Sequence, residues 1–128
     1  MVLEYPCLLI TDDDRDLRET LQEVFQPLGF RTILAANGAE AVEIVRREPV
    51  HLALLDLHMP KLSGLEAIRR VKELQSRLPC ILMSAALDED IKEEAKRAQV
   101  FSVHAKPISF RDITSVVNDA MWQTYQWS

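Results

Sequence analysis

"HLALLDLHMPKLSG", residues 51–64, decides the fold. After His51 the chain runs Leu52-Ala53-Leu54-Leu55-Asp56-Leu57, and Asp56 is the only polar residue in that run. A strand with one wet face alternates apolar and polar side chains. An unbroken apolar run predicts a strand buried on both faces, at the centre of a parallel sheet. The run then meets "HMPKLSG", whose proline and glycine mark a loop. A lone acid closing a buried strand is a first candidate for chemistry.

Working outward, four more runs of strand length appear: "CLLI" (7–10), "FRTILAA" (30–36), "CILMSA" (80–85) and "VFSV" (100–103). Helical stripes separate them. Leu17, Leu21, Val24 and Leu28 repeat at helical spacing before Gly29, and Ala41, Ile44 and Val45 follow the turn at Asn37-Gly38. Leu65, Ile68, Val71 and Leu74 form a third stripe. The fourth, "DEDIKEEAKRAQ", is thin, with Ile91, Ala95 and Ala98 as its whole apolar face. The fifth follows Pro107 through Phe110, Ile113, Val116, Val117, Ala120 and Met121. Strict β-α alternation predicts an α/β fold: a doubly wound parallel sheet with helices on both faces.

With 128 residues, 48% hydrophobic and 27% charged, the chain reads as a single domain over 1–128. The core is expected over about 6–121. The aromatic tail 122–128, with Trp122, Tyr125 and Trp127, either packs back on the domain or begins a linker. A net charge of −5 and scattered basic pairs offer no stripe for nucleic acid. No run is long enough for a membrane span, and "MVLEYP" does not read as a signal peptide, so a cytoplasmic location is expected. Cys7 and Cys80 sit inside apolar runs without a CxxC pattern and are expected in the core.

In open parallel sheets, sites form beyond the carboxyl ends of the strands. The first run ends in "TDDDRD", with Asp12, Asp13, Asp14 and Asp16; the third ends at Asp56; the fourth at Ser84; the fifth at His104-Ala105-Lys106-Pro107. Grouped carboxylates repel one another unless a hard cation such as Mg²⁺ joins them. A carboxylate beside such a cation can act as a nucleophile on phosphorus. Lysine is a compact charge for a phosphoryl oxygen, and a serine hydroxyl can donate to another. The set suits phosphoryl transfer. Asp14 and Asp16 read instead as helix-start residues. A calcium-loop reading of "DDDRD" fails because Leu17 stands where the turn glycine belongs.

"LLITDDD", "LLDLHMPKLSG", "ILMSA" and "AKP", in this order and spacing, resemble the response-regulator receiver domain of two-component signalling. The resemblance covers residues 6 to about 121 and implies a flavodoxin-like (βα)5 fold with strand order 2-1-3-4-5. It implies Asp56 as phosphoacceptor, and Asp12, Asp13, Asp56 and the His58 backbone carbonyl as Mg²⁺ ligands. Ser84 and Lys106 would contact the phosphoryl group. Met59 and Pro60 would shape the loop, Gly64 would permit its tight turn, and Lys106-Pro107 would be cis. The implied activity is a phosphorylatable switch that catalyses its own phosphoryl uptake and hydrolysis rather than a conventional enzyme. The implied partners are a histidine kinase or phosphotransfer protein and a downstream effector or output domain. A phosphorylation-dependent dimer is also allowed; nucleic acid and membrane are not expected partners. The chain departs from the family at Val103, where an aromatic residue is usual three positions before the lysine; Phe101 and His104 are the nearest rings. A small phosphatase working through an aspartyl-phosphate, or a degenerate receiver used for docking, are the alternative readings.

Overall fold

The computed structural model describes residues 4–128. Five strands alternate with five helices: β1 (Cys7–Thr11), α1 (Arg15–Phe25), β2 (Arg31–Ala35), α2 (Gly38–Arg47), β3 (Leu52–Asp56), α3 (Gly64–Leu74), β4 (Cys80–Ser84), α4 (Glu89–Arg97), β5 (Ser102–Ala105) and α5 (Phe110–Tyr125). The strands are parallel, in the order β2-β1-β3-β4-β5. The flavodoxin-like expectation holds, and β3 is the central strand, buried along its whole length. The fifth strand starts two residues later than the apolar pattern suggested, because Val100 closes the turn after α4, its N–H bonded to the Ala95 carbonyl.

Side chains alternate across the sheet, so each strand feeds two cores. Leu8, Ile10, Leu52, Leu54, Ile81 and Met83 pack with α1 and α5, while Leu9, Ala53, Leu55 and Leu82 pack with α2 and α3. Each fully buried Leu or Ile contributes roughly 1.5–3 kcal/mol. Cys7 and Cys80 are free thiols in the second of these cores, on strands that β3 separates. Burial pushes the Cys80 thiol up to about 12, so it remains protonated and inert.

Helix starts follow local chemistry. Asp14, Asn37, Ser63, Asp88 and Ser109 each cap a helix by accepting from a backbone N–H of its first turn. Of the four acids in "TDDDRD", Asp14 is therefore the α1 cap, and Asp16 lies in its first turn. The aromatic tail does not stop at 121. Residues 122–125 continue α5, and Tyr125 and Trp127 pack against the α1/α5-side core. Trp127 stacks edge-on against Phe30, with ring centroids 4.8 Å apart.

Candidate functional site

Register brings the acids together. Ile10 on β1 is opposite Leu54 on β3. Two residues further on, Asp12 and Asp56 emerge on the same side of the sheet. Both are buried, at 0% and 5% exposure, at the carboxyl edge. Asp13 is exposed beside them, and one oxygen from each of Asp12, Asp13 and Asp56 lies within 4.8 Å of the others. Three ionisable oxygens at this spacing, with no nitrogen or sulfur donor, fit a hard divalent cation.

The opposite charge comes from β5. Lys106 follows the strand, and its N–H donates to the Ser84 carbonyl (2.8 Å), which ties it to the end of β4. Its Nζ donates to Asp12 Oδ2 at 2.6 Å and lies 3.2 Å from Asp56 Oδ1. The Lys106-Pro107 peptide is cis, as the resemblance implied. Burial pulls the Lys106 ammonium down, but its bond and charge contacts with Asp12 and Asp56 outweigh this and leave its pKa above the ordinary value. Burial raises the Asp56 carboxyl, and the Asp12 charge raises it further; Lys106 offsets only part of this.

The remaining predicted residues are placed less tightly. Ser84 ends β4, wholly buried, and its hydroxyl accepts from the Ala86 N–H at 3.1 Å. Among the described residues no hydrogen bond joins it to the acids. His58 is exposed in the loop after β3, Met59 is half-buried and Pro60 exposed. Gly64 has a different role from the one expected. The left-handed residue of this loop is Lys61 (φ 72°), whereas Gly64 starts α3 directly on the backbone of Asp56. A Cβ at Gly64 would fall inside the contact radius of the Asp56 carbonyl oxygen. Only glycine allows that approach.

Val103 is half-buried in β5 and packs toward the α2/α3 side. Neither nearby ring takes its place. Phe101 packs on the opposite face, and the His104 ring bonds the Ser102 hydroxyl at 2.9 Å. Sequence reasoning missed Arg18, whose Nη1 donates to the Asp12 carbonyl at 2.7 Å. A signal existed: a basic residue one turn into the helix that follows the acid pair. His51 stands at the far edge, as expected. Its Nδ1 accepts from the Cys7 N–H at 2.9 Å, and its carbonyl accepts from the Tyr125 hydroxyl at 2.7 Å.

A central parallel sheet with an acid trio and a lysine at its carboxyl edge is the arrangement of receiver domains. The family model for the response regulator receiver domain matches residues 8–118, and the chain belongs to that family. The sporulation initiation phosphotransferase F of Bacillus subtilis (strain 168) is 36% identical over 110 residues, covering 86% of this chain and 89% of that protein. The regulatory protein AtoC of Escherichia coli (strain K12) is 30% identical over 114 residues, which are 89% of this chain but 25% of AtoC. The chain thus matches nearly all of one relative and a quarter of the other. A CheY-like receiver protein from Methanospirillum hungatei JF-1 superposes with a TM-score of 0.92 at 20% identity, covering 95% of this chain and 98% of that one. A chain of the CheX-CheY-BeF3-Mg complex from Borrelia burgdorferi gives 0.85 at 24% identity, covering 91% of this chain and 89% of that one. These neighbours show the same fold. The family is one of phosphorylatable switches in two-component and phosphorelay systems. No helix among the described residues is long and apolar enough to cross a membrane.

Proposed function

We propose that Asp56 is the phosphoacceptor of this receiver and that Asp12, Asp13 and Asp56, with the His58 backbone carbonyl, hold Mg²⁺. The observation that carries this is the acid trio within 4.8 Å, with the Lys106 ammonium 3.2 Å from Asp56. A divalent cation held there neutralises charge where an anionic phosphoryl group meets a carboxylate. Asp56 supplies the attacking oxygen: an O–P bond forms as the P–N bond to the donor histidine breaks. Lys106 already faces Asp56 and is the counter-charge for a phosphoryl oxygen on it. The Ser84 hydroxyl accepts from Ala86 N–H and retains its own proton to donate. Water later cleaves the aspartyl-phosphate.

The donor is a histidine kinase or a phosphotransfer protein, and the modified domain acts on an effector or output domain. The switching face is α4, β5 and α5. Of its two helices α4 is the more weakly packed, with one buried residue, Ala95, where α5 has five, and weakly packed elements move most readily. With Val103 in β5, the readout runs without the usual inward-swinging ring. Modification adds charge to a buried carboxylate and biases a two-state equilibrium.

The test is Mg²⁺ with acetyl phosphate, or with a beryllofluoride salt. The wild type is expected to give a Mg²⁺-dependent, alkali-labile acyl-phosphate or its analogue, and Asp56→Asn none. An equal adduct in Asp56→Asn would remove Asp56 from the role. Steady turnover of a small phosphate ester would favour the phosphatase reading.

A further inference from the structure

Every polar group of Asp12 is held. Its N–H donates to the Ala35 carbonyl (3.1 Å), Oδ1 accepts from the Asp14 N–H (2.9 Å), and Oδ2 accepts from Lys106 (2.6 Å). The backbone carbonyl accepts from Arg18 Nη1 at 2.7 Å. Three of these partners are backbone groups or the site lysine. Arg18 is neither. It stands in the second turn of α1, half-buried, and among the described residues its guanidinium pairs with no carboxylate. Holding that charge partly out of water costs free energy, which the charge-assisted bond to Asp12 offsets.

The Asp12 carbonyl belongs to the peptide plane that joins Asp12 to Asp13. A peptide is planar, so pinning its oxygen fixes the rotation of the whole unit. Asp13 needs this. Its carboxylate is exposed and makes no hydrogen bond or ion pair among the described residues. With no partner to hold the side chain, the backbone at Asp13 sets which rotamers can bring that carboxylate to Asp12 and Asp56.

We propose that Arg18 is a positioning residue for the cation site: it clamps the Asp12–Asp13 peptide so that Asp13 is presented to the trio. The inference rests on the reading of Asp12, Asp13 and Asp56 as a Mg²⁺ site. Arg18 does not touch the cation or the phosphoryl group. Its effect is on how well the ligands are pre-arranged, as outer groups around metal sites often are.

The experiment is a Mg²⁺ titration of the full chain by calorimetry, with wild type, Arg18→Gln, Arg18→Lys and Arg15→Gln. Arg15 lies on the exposed side of the same helix, bonded to Glu19, and controls for charge alone. Arg18→Gln is expected to weaken Mg²⁺ binding roughly tenfold, Arg18→Lys to fall between it and wild type, and Arg15→Gln to change it by less than about twofold. In acetyl phosphate reactions, the Mg²⁺ concentration giving half-maximal rate rises by the same factor in Arg18→Gln, while the rate at saturating Mg²⁺ is unchanged. A merely structural arginine would lower the melting temperature and leave both Mg²⁺ readouts untouched; that result overturns the proposal and leaves the site reading standing. Equal weakening in Arg15→Gln also overturns it, since charge alone would then suffice. If Arg18→Gln does not fold, Arg18→Lys decides: weaker binding than wild type supports the clamp, equal binding overturns it. A wild type that binds no Mg²⁺ removes the site reading itself and the clamp with it.

Discussion

The two edges of the sheet satisfy their polar groups in opposite ways. At the amino edge, neutral hydrogen bonds close on themselves. Cys7 N–H donates to His51, Tyr125 donates to the His51 carbonyl, and Trp127 seals Phe30. At the carboxyl edge, two of three clustered carboxylates, Asp12 and Asp56, share one lysine, and Asp13 has no partner among the described residues. The first arrangement is complete within the chain. The second has more negative charge than its own residues neutralise; in the function we propose, a cation and then a phosphoryl group complete it from outside. Both ends come from the same β-α repeat. What differs is whether the local charges sum to zero.

The largest expected effect lies where the two halves of the carboxyl edge press together. Gly64→Ala would drive a methyl into the Asp56 carbonyl, and neither backbone can retreat without moving β3 or α3. Overpacking of this kind costs about 3 kcal/mol. Chemical denaturation would read the loss, and Mg²⁺ binding should weaken with it because the displaced backbone carries Asp56. A variant of wild-type stability would mean that α3 is not held against Asp56.

At the amino edge the expected effect is smaller and separable from function. Burial pushes the Tyr125 hydroxyl up to about 12, so it is a neutral donor throughout the physiological range. Tyr125→Phe removes its bond to the His51 carbonyl and costs about 1–2 kcal/mol. Mg²⁺ affinity and phosphorylation by acetyl phosphate should not change. If they do, the two edges are coupled through β3 and the contrast drawn above fails.

Most of this contrast was legible in the sequence on one side only. The central strand, the alternation and the acid pair are written in local patterns, because burial on both faces and charge repulsion leave marks in consecutive residues. Asp56, Asp12, Asp13 and Lys106 could be gathered because strand ends converge by topology. The amino-edge latch could not be read, since it joins residues 7, 51 and 125 through a histidine lone pair and a backbone carbonyl, neither of which has a sequence signature. Arg18 was only half legible: its place one turn into the helix after the acid pair was a signal, but its partner is a carbonyl that every residue possesses. Gly64 was noticed for the wrong cause. The turn geometry falls on Lys61, and what demands glycine is contact with a strand eight residues away in sequence.

The smallest expected shift is also opposite in sign. Asp56 is held above its ordinary pKa by burial and by Asp12, and Lys106 does not fully compensate. A group whose folded pKa is raised favours the fold below its unfolded value of 3.8 and loses that contribution as pH rises through the folded value. Above that folded value, without a divalent cation, the ionised Asp56 therefore destabilises the domain. Asp56→Asn should melt at a higher temperature than wild type in chelator, and the difference should shrink as pH falls toward 4. Mg²⁺ should raise the wild-type melting temperature and leave the variant nearly unmoved. The most damaging substitution for function would then stabilise the fold, whereas Tyr125→Phe would weaken the fold and spare function. A lower melting temperature for Asp56→Asn in chelator would mean that its pairing with Lys106 outweighs burial and the Asp12 charge, so that the carboxyl edge, too, is balanced from within.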